Sequence, residues 1–177
     1  MLSKRKVIRL QNYDYSRSGV YFVTICTYQK LCLFGNISNN LMNYSPLGKI
    51  ALRQINNISS RRTNVSIHNK VVMPNHVHVL LHIENSGEEA NNKNQFGKPR
   101  KNSLGTIIGV YKAAVTRTAA QSGIINSKSG TIWQSRYCEH VIRNEKDYLE
   151  IWDYIGNNPF KWKQDAYCIK SKAEQLS

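Results

Sequence analysis

The run His76-Val77-His78-Val79-Leu80-Leu81-His82-Ile83 constrains this chain more than any other stretch. Side chains of a β-strand alternate between its two faces. A strand over 76–83 therefore gathers Val77, Val79, Leu81 and Ile83 on one wholly apolar face, which must be buried against other elements. His76, His78, Leu80 and His82 share the opposite face. The two leading histidines stand about 7 Å apart along the strand at the usual rise per residue. Two imidazoles so placed can converge on one ion, histidine being the commonest metal-ligating side chain. They can equally be two ordinary histidines on a half-exposed strand. Two ligands leave a site incomplete, so a third has to come from elsewhere. His82 continues the face but lies farther from the Pro74-Asn75 turn, and His68 and His140 carry no local signature.

The rest of the chain supplies partners for that strand. Residues 20–27 (VYFVTICT) are rich in β-branched and aromatic side chains and predict a strand. Residues 31–44 read as a loop or short hairpin. Ser45-Pro46 opens a helix, with proline near its first position and Leu47, Ile50, Ala51, Ile55 and Ile58 at helical spacing. Residues 65–73 predict a second strand, broken or curved at Asn69-Lys70. The polar stretch 84–102, with Gly87, Gly97 and Pro99, reads as a long loop within one domain. Ser103 caps a helix whose apolar stripe is Leu104, Ile107, Ile108, Tyr111 and Val115. A loop at 121–130 follows, then a strand over 132–142, at least from Tyr137. Asn144 with Asp147 resembles a capping box and starts a helix to about Asn157, ended by Pro159. The order strand, helix, strand, strand, helix, strand, helix fits an α+β, ferredoxin-like antiparallel sheet with helices packed on it.

Charge narrows the class of partner. The 177 residues fit one domain, and 25 Lys plus Arg against 11 Asp plus Glu give a formal net charge of +14. Such an excess favours polyanions, nucleic acid above all. No apolar run is long enough to span a bilayer and no secretory signal is evident, so no membrane partner is expected and a cytoplasmic protein is the default. The four cysteines, Cys26, Cys32, Cys138 and Cys168, are scattered without a C-x-x-C pair, which argues against a zinc ribbon or a disulfide framework.

The segment 144–159 (NEKDYLEIWDYIGNNP) places Tyr148, Ile151, Trp152 and Ile155 at helical spacing, expected to face the sheet, with Tyr154 flanking that stripe. Asn158 lies one turn further along the same side. Preceding Pro159, it is expected to leave helical geometry, with its side-chain carbonyl available as a ligand or helix-end acceptor. Tyr154 and Asn158 can thus complete the two-histidine site as nucleophile and third ligand. They can also be a packing residue and a helix stop, the commoner fate of such residues. Tyr111 is the rival nucleophile, because its helix also carries Lys112 and Arg117, but its register with Leu104, Ile107, Ile108 and Val115 favours the core.

Four segments, MPNHVHVLLHI (73–83), GTIIGVYKAAVTR (105–117), IWQSRYCEHVIRNEKDY (132–148) and DYIGNNPFKW (153–162), resemble the one-tyrosine HUH transposases, and most closely their REP-associated branch. VYFVTICT and the Phe34-Gly35 region also fit, so the resemblance covers nearly all of 16–165 and implies a single HUH-type domain over 1–177. It implies a bacterial, Mg²⁺- or Mn²⁺-dependent enzyme that cleaves and rejoins single-stranded DNA at hairpin-containing sites. The family's histidine pair falls on His76 and His78. Its nucleophile, the tyrosine of D-Y-I-x-x-N-P, falls on Tyr154, which takes the 5′-phosphate and leaves a free 3′-hydroxyl. The polar residue four positions beyond, Gln or Asn in the family, is Asn158. The centre of the HUH motif is Val77, an apolar residue that the pattern permits. Trp133-Gln134 and the Glu139–Arg143 segment read as structural or DNA-contacting, with Arg136 and Arg143 as candidate DNA contacts. The working unit is left open between a monomer and a homodimer.

These residue types suit phosphodiester chemistry. The diester is anionic and repels nucleophiles, a divalent ion on a non-bridging oxygen offsets that charge, and a phenol with a reference pKa near ~10 needs a nearby ion or base. Imidazole usually suits softer metals than Mg²⁺, which favours Mn²⁺. Two other readings compete: a non-catalytic, ferredoxin-like module gripping single-stranded nucleic acid by stacking and phosphate contacts, and a metal-dependent hydrolase that uses water in place of Tyr154.

Overall fold

In the computed structural model, residues 17–84, 102–126 and 131–165 are described. The predicted loop at 84–102 and the tail beyond 165 fall almost wholly outside them, as do the basic amino-terminal segment and the end of the 121–130 loop.

The strands are β1 (Gly19–Cys26), β2 (Gly35–Ser38), β3 (Leu41–Tyr44), β4 (Val65–Met73), β5 (His76–Ile83) and β6 (Cys138–Val141). The helices are α1 (Pro46–Arg61), α2 (Leu104–Gln121) and α3 (Glu145–Asn157). Four strands form the main sheet in the order β4-β5-β1-β6, every neighbouring pair antiparallel, and β2 with β3 forms a separate hairpin. With α1 between β1 and β4 and α2 between β5 and β6, this is the ferredoxin-like order that the sequence predicts. The strand expected over 132–142 forms only at Cys138–Val141; residues 131–137 are irregular, with one isolated bridge between Thr27 and Trp133.

Alternation along β5 works out as expected. Val77, Val79, Leu81 and Ile83 are buried with Tyr21, Val23 and Ile25 of β1 and with Ile55, Ile107, Ile108, Tyr111 and Val115 of α1 and α2. Each of these large side chains gains of order 1.5–3 kcal/mol by leaving water, which fixes the strand register because a one-residue slip would turn the set outward. Ser45 caps α1 by accepting from the Gly48 N–H at 3.0 Å. Gly48 is needed there, since a Cβ would meet the Phe34 carbonyl oxygen. Ser103 caps α2 in the same way, accepting from Thr106 N–H at 3.3 Å.

The other face of the sheet is covered by α3, which packs on β4 and β5. Asn144 accepts from Asp147 N–H at 2.9 Å, as an N-cap should. The Asp147 carboxylate does not close a capping box; it accepts from the backbone of Arg143 and pairs with His140 at 2.8 Å. Nor does the whole predicted stripe face the sheet. Ile155 is buried, but Trp152 is 41% exposed and stacks on Tyr148. The helix meets the sheet along a narrow line, anchored where the irregularity between Ile67 and Asn69 in β4 lets the Asn69 amide donate to the Trp152 carbonyl. Among the described residues, no helix is long and apolar enough to cross a membrane.

Candidate active site

His76 and His78 occupy the helix-covered face of the sheet, opposite Cys26 and Thr24 of β1. Both are buried, with ring centroids 4.4 Å apart. Each ring is held through its Nδ1. The Asn75 amide donates to the Lys30 carbonyl at 3.0 Å, which turns its Oδ1 toward His76 Nδ1 at 2.9 Å. His76 Nδ1 must therefore carry the hydrogen, and its Nε2 presents a lone pair. His78 Nδ1 lies 2.8 Å from Thr24 Oγ1, and its Nε2 faces the Tyr154 hydroxyl at 3.3 Å. A phenol that donates to Nε2 leaves the hydrogen on Nδ1, so both rings adopt the tautomer a metal ligand needs. These hydrogen positions follow from the bonding network.

Burial makes both imidazoles neutral. It pushes His76 down to about 2, helped by neighbouring His78 and Lys30. It pushes His78 down to about 3. The Asp165 carboxylate, 4.0 Å from His76 Nε2, favours a proton on that ring; burial outweighs it, so the contact is not an ion pair.

Tyr154 reaches this pair from the last turn of α3 while remaining 39% exposed, within reach of a polymer in solution. Its ring lies 5.2 Å from that of His78 and edge-on to Phe22, whose own ring is 5.1 Å from His78. Burial and the Asp165 charge raise the phenol above its ordinary value, and a side-chain hydrogen bond from Asn158 opposes them. A bond that lowers a phenol's pKa must donate to its oxygen, which assigns the Asn158 amide N–H to Tyr154.

Asn158 itself is buried, and its Oδ1 has no hydrogen-bond partner. Contrary to expectation, it keeps helical backbone angles, φ −59° and ψ −43°, although it precedes Pro159. The Ile155 carbonyl that proline cannot serve accepts instead from Asn158 N–H at 3.4 Å. That tight last turn tucks the amide inward beneath Tyr154.

The structure places the Tyr154 hydroxyl on His78, whose ring adjoins that of His76, and Asn158 hydrogen-bonds Tyr154. It also brings in Asp165, which the sequence reading missed. Ligand atoms of His76, His78 and Asp165 lie within 4.8 Å of one another. Asp165 follows a turn and a short 3-10 helix, Trp162–Gln164, with no periodic pattern to betray it, although the aromatic Trp162, 6.1 Å from the His76 ring, marks the segment as packed. Of the other histidines, His82 is spent on a ring contact with His68, and His68 meets Tyr148 at 3.2 Å, both outside the cluster. Tyr111 is buried in the core, its hydroxyl donating to the Ala51 carbonyl at 3.2 Å. Arg136 and Arg143 are exposed.

The donor set fits a divalent ion on two observations. Ligand atoms of two neutral imidazoles lie within 4.8 Å of the Asp165 carboxylate, and the buried amide oxygen of Asn158, the residue that hydrogen-bonds Tyr154, has no hydrogen-bond partner.

No family model matches the chain. It is 39% identical over 172 residues to an uncharacterized protein of Haemophilus influenzae, with 93% of each chain covered. A second protein of that organism, named "Putative REP-associated tyrosine transposase", is 26% identical over 160 residues, covering 86% of this chain and 77% of its own. Among solved structures, that of a REP-associated tyrosine transposase bound to a REP hairpin shares the fold, with a TM-score of 0.55 and 20% identity over 87% of this chain and 74% of that one. In sequence and in fold the chain is similar to REP-associated tyrosine transposases.

Proposed function

We propose that this protein cleaves and rejoins single-stranded DNA at hairpin-containing sites through a covalent 5′-phosphotyrosine on Tyr154, with Mg²⁺ or Mn²⁺ held by His76, His78 and Asn158. The observation that carries this reading is the 3.3 Å approach of the Tyr154 hydroxyl to His78 Nε2, from a side chain that solvent still reaches. The hairpin comes from the solved relative, which is bound to one.

Tyr154 Oη attacks the phosphorus, forming an O–P bond, while the bond from phosphorus to the 3′ oxygen breaks. The phenolic proton ends on that oxygen, giving a free 3′-hydroxyl. Attack by another 3′-hydroxyl reverses these changes and restores the tyrosine. A bound divalent ion supplies positive charge beside the phosphate and lowers the cost of ionising the phenol. The chain's own part is orientation. Phe22 and His78 fix the tyrosine ring, and the Asn158 amide donates to the oxygen that becomes negative. Exposed Arg136 and Arg143 are suited to phosphate contacts within an overall charge of +14.

Incubation with labelled hairpin-containing single strands and Mn²⁺ tests the reading. An SDS-stable adduct is expected, with the nucleotide on the peptide containing Tyr154. Cleavage without an adduct points to water as nucleophile, and binding without cleavage to a non-catalytic module; either result removes the proposal.

A further inference from the structure

We infer that Asp165 is a direct ligand of the divalent ion, making the protein part of the site a two-histidine, one-carboxylate set. This rests on the metal reading above and extends it to a residue outside the histidine strand and the tyrosine helix.

The geometry between His76 and Asp165 carries the argument. Asn75 fixes the hydrogen of His76 on Nδ1, so Nε2 offers a lone pair. Asp165 Oδ2 stands 4.0 Å away, and the Asp165 side chain is only 2% exposed. Two acceptors thus face each other in a buried place, too far apart to share a proton in a hydrogen bond. A cation held between them would meet a donor atom on each side. Donors on opposite sides of an ion bound at about 2.1 Å stand roughly 4.2 Å apart, and adjacent donors about 3 Å. The His76, His78 and Asp165 ligand atoms lie within 4.8 Å of one another, wider than adjacent donors on one ion, so binding would draw the three together.

The chemistry of the donors agrees. Imidazole alone suits softer metals, whereas carboxylate suits Mg²⁺ and Mn²⁺, and a 2-His-1-carboxylate set leaves open positions on the ion. Asp165 also brings negative charge, which Asn158 cannot. The two residues then divide the work. Asn158 lends its N–H to Tyr154, and its neutral Oδ1 contributes weakly to the ion. Asp165 supplies most of the oxygen-ligand affinity.

Mn²⁺ binding to the metal-free full chain, without DNA, tests this by calorimetry or by the electron paramagnetic resonance of free Mn²⁺. Loss of a mere outer partner costs roughly 10–100-fold in metal affinity, so Asp165→Asn should weaken Mn²⁺ binding at least about tenfold. Asn158→Ala should cost less than Asp165→Asn, and His76→Ala should abolish binding. Asp165→Ser provides a second variant of different shape, and an unchanged melting temperature in chelator shows that either variant is folded. Asp165 variants that bind Mn²⁺ within twofold of the parent, while His76→Ala does not bind, overturn this inference and leave the metal reading standing. A parent chain with no His76-dependent Mn²⁺ binding overturns both.

Discussion

The Tyr154 hydroxyl meets His78 Nε2 at 3.3 Å, whereas the hydroxyl of Tyr111, on the helix that carries Lys112 and Arg117, is spent on the Ala51 carbonyl inside the core. Burial raises both phenols, yet only Tyr154 has a donor on its oxygen, a half-open face and neutral imidazoles alongside. Tyr154→Phe keeps the ring against Phe22 and removes the oxygen. Adduct formation and cleavage should vanish, with hairpin affinity within about twofold and stability lower by about 1 kcal/mol, as the buried Asn158 N–H loses its acceptor. Tyr111→Phe should still form the adduct and lose about 1 kcal/mol of stability with its buried hydrogen bond. Denaturant melts and an adduct gel on both variants check this; an adduct from Tyr154→Phe removes the nucleophile assignment.

Thr24 is a positioning residue of a kind that a local motif does not reveal. It lies opposite His78 in the β1–β5 register and holds that ring through Nδ1 at 2.8 Å. Thr24→Val keeps the shape and withdraws the oxygen. The Nδ1–H of His78 then has no acceptor to fix the ring, and Mn²⁺ affinity should fall roughly 10–100-fold. Titration of the metal-free variant is the measurement. Unchanged affinity would mean that packing against Phe22 alone orients His78.

What could be read from the chain, and what could not, follows from how each feature is encoded. The period-two pattern of β5 set both faces of the strand, hence the buried valines and the paired histidines. The register of α2 sent Tyr111 inward. Trp152 was expected on the sheet because a helical stripe defines only a broad sector, while α3 touches β4 and β5 along a narrow line that only the docked pair reveals. Asp165 was invisible for another reason. Its place depends on a turn after Asn158 whose hydrogen bonds, from Lys161 N–H to the Asn157 and Asn158 carbonyls, follow no repeat. The Asn158 backbone was misjudged because the local clash before proline is outweighed by burial of its side chain and the bond to Ile155.

Charge should govern DNA affinity. With a net +14, binding to a folded single-stranded hairpin should weaken steeply with salt. Arg136 and Arg143 are both exposed near the β6 end of the sheet. If each meets a phosphate, replacement by alanine should lower the salt slope by about one and weaken binding evenly across hairpin sequences. Fluorescence anisotropy over a salt series measures this. A slope unchanged in the double variant would place the phosphate contacts elsewhere.

The buried histidines should make the metal-free protein sensitive to mild acid. Both folded-state values lie far below the ordinary 6.5, at about 2 for His76 and about 3 for His78, with burial as the leading cause. The unfolded chain therefore binds protons that the folded chain refuses. Stability is highest above about pH 6.5 and falls as pH drops toward 3, because unfolding takes up roughly one proton per imidazole across that window. Each proton corresponds to about 1.4 kcal/mol per pH unit, so between pH 6 and 5 the two together should cost roughly 2–3 kcal/mol. Urea melts in chelator at those two pH values measure the loss. His78→Gln removes one titrating ring and should roughly halve the slope. Saturating Mn²⁺ should raise stability while leaving that slope nearly unchanged between pH 7 and 5, since imidazoles already neutral in the folded chain release no proton to the ion. A metal-free protein equally stable at pH 6 and pH 5 would show that these imidazoles can charge in place, and the neutral two-nitrogen site would have to be abandoned.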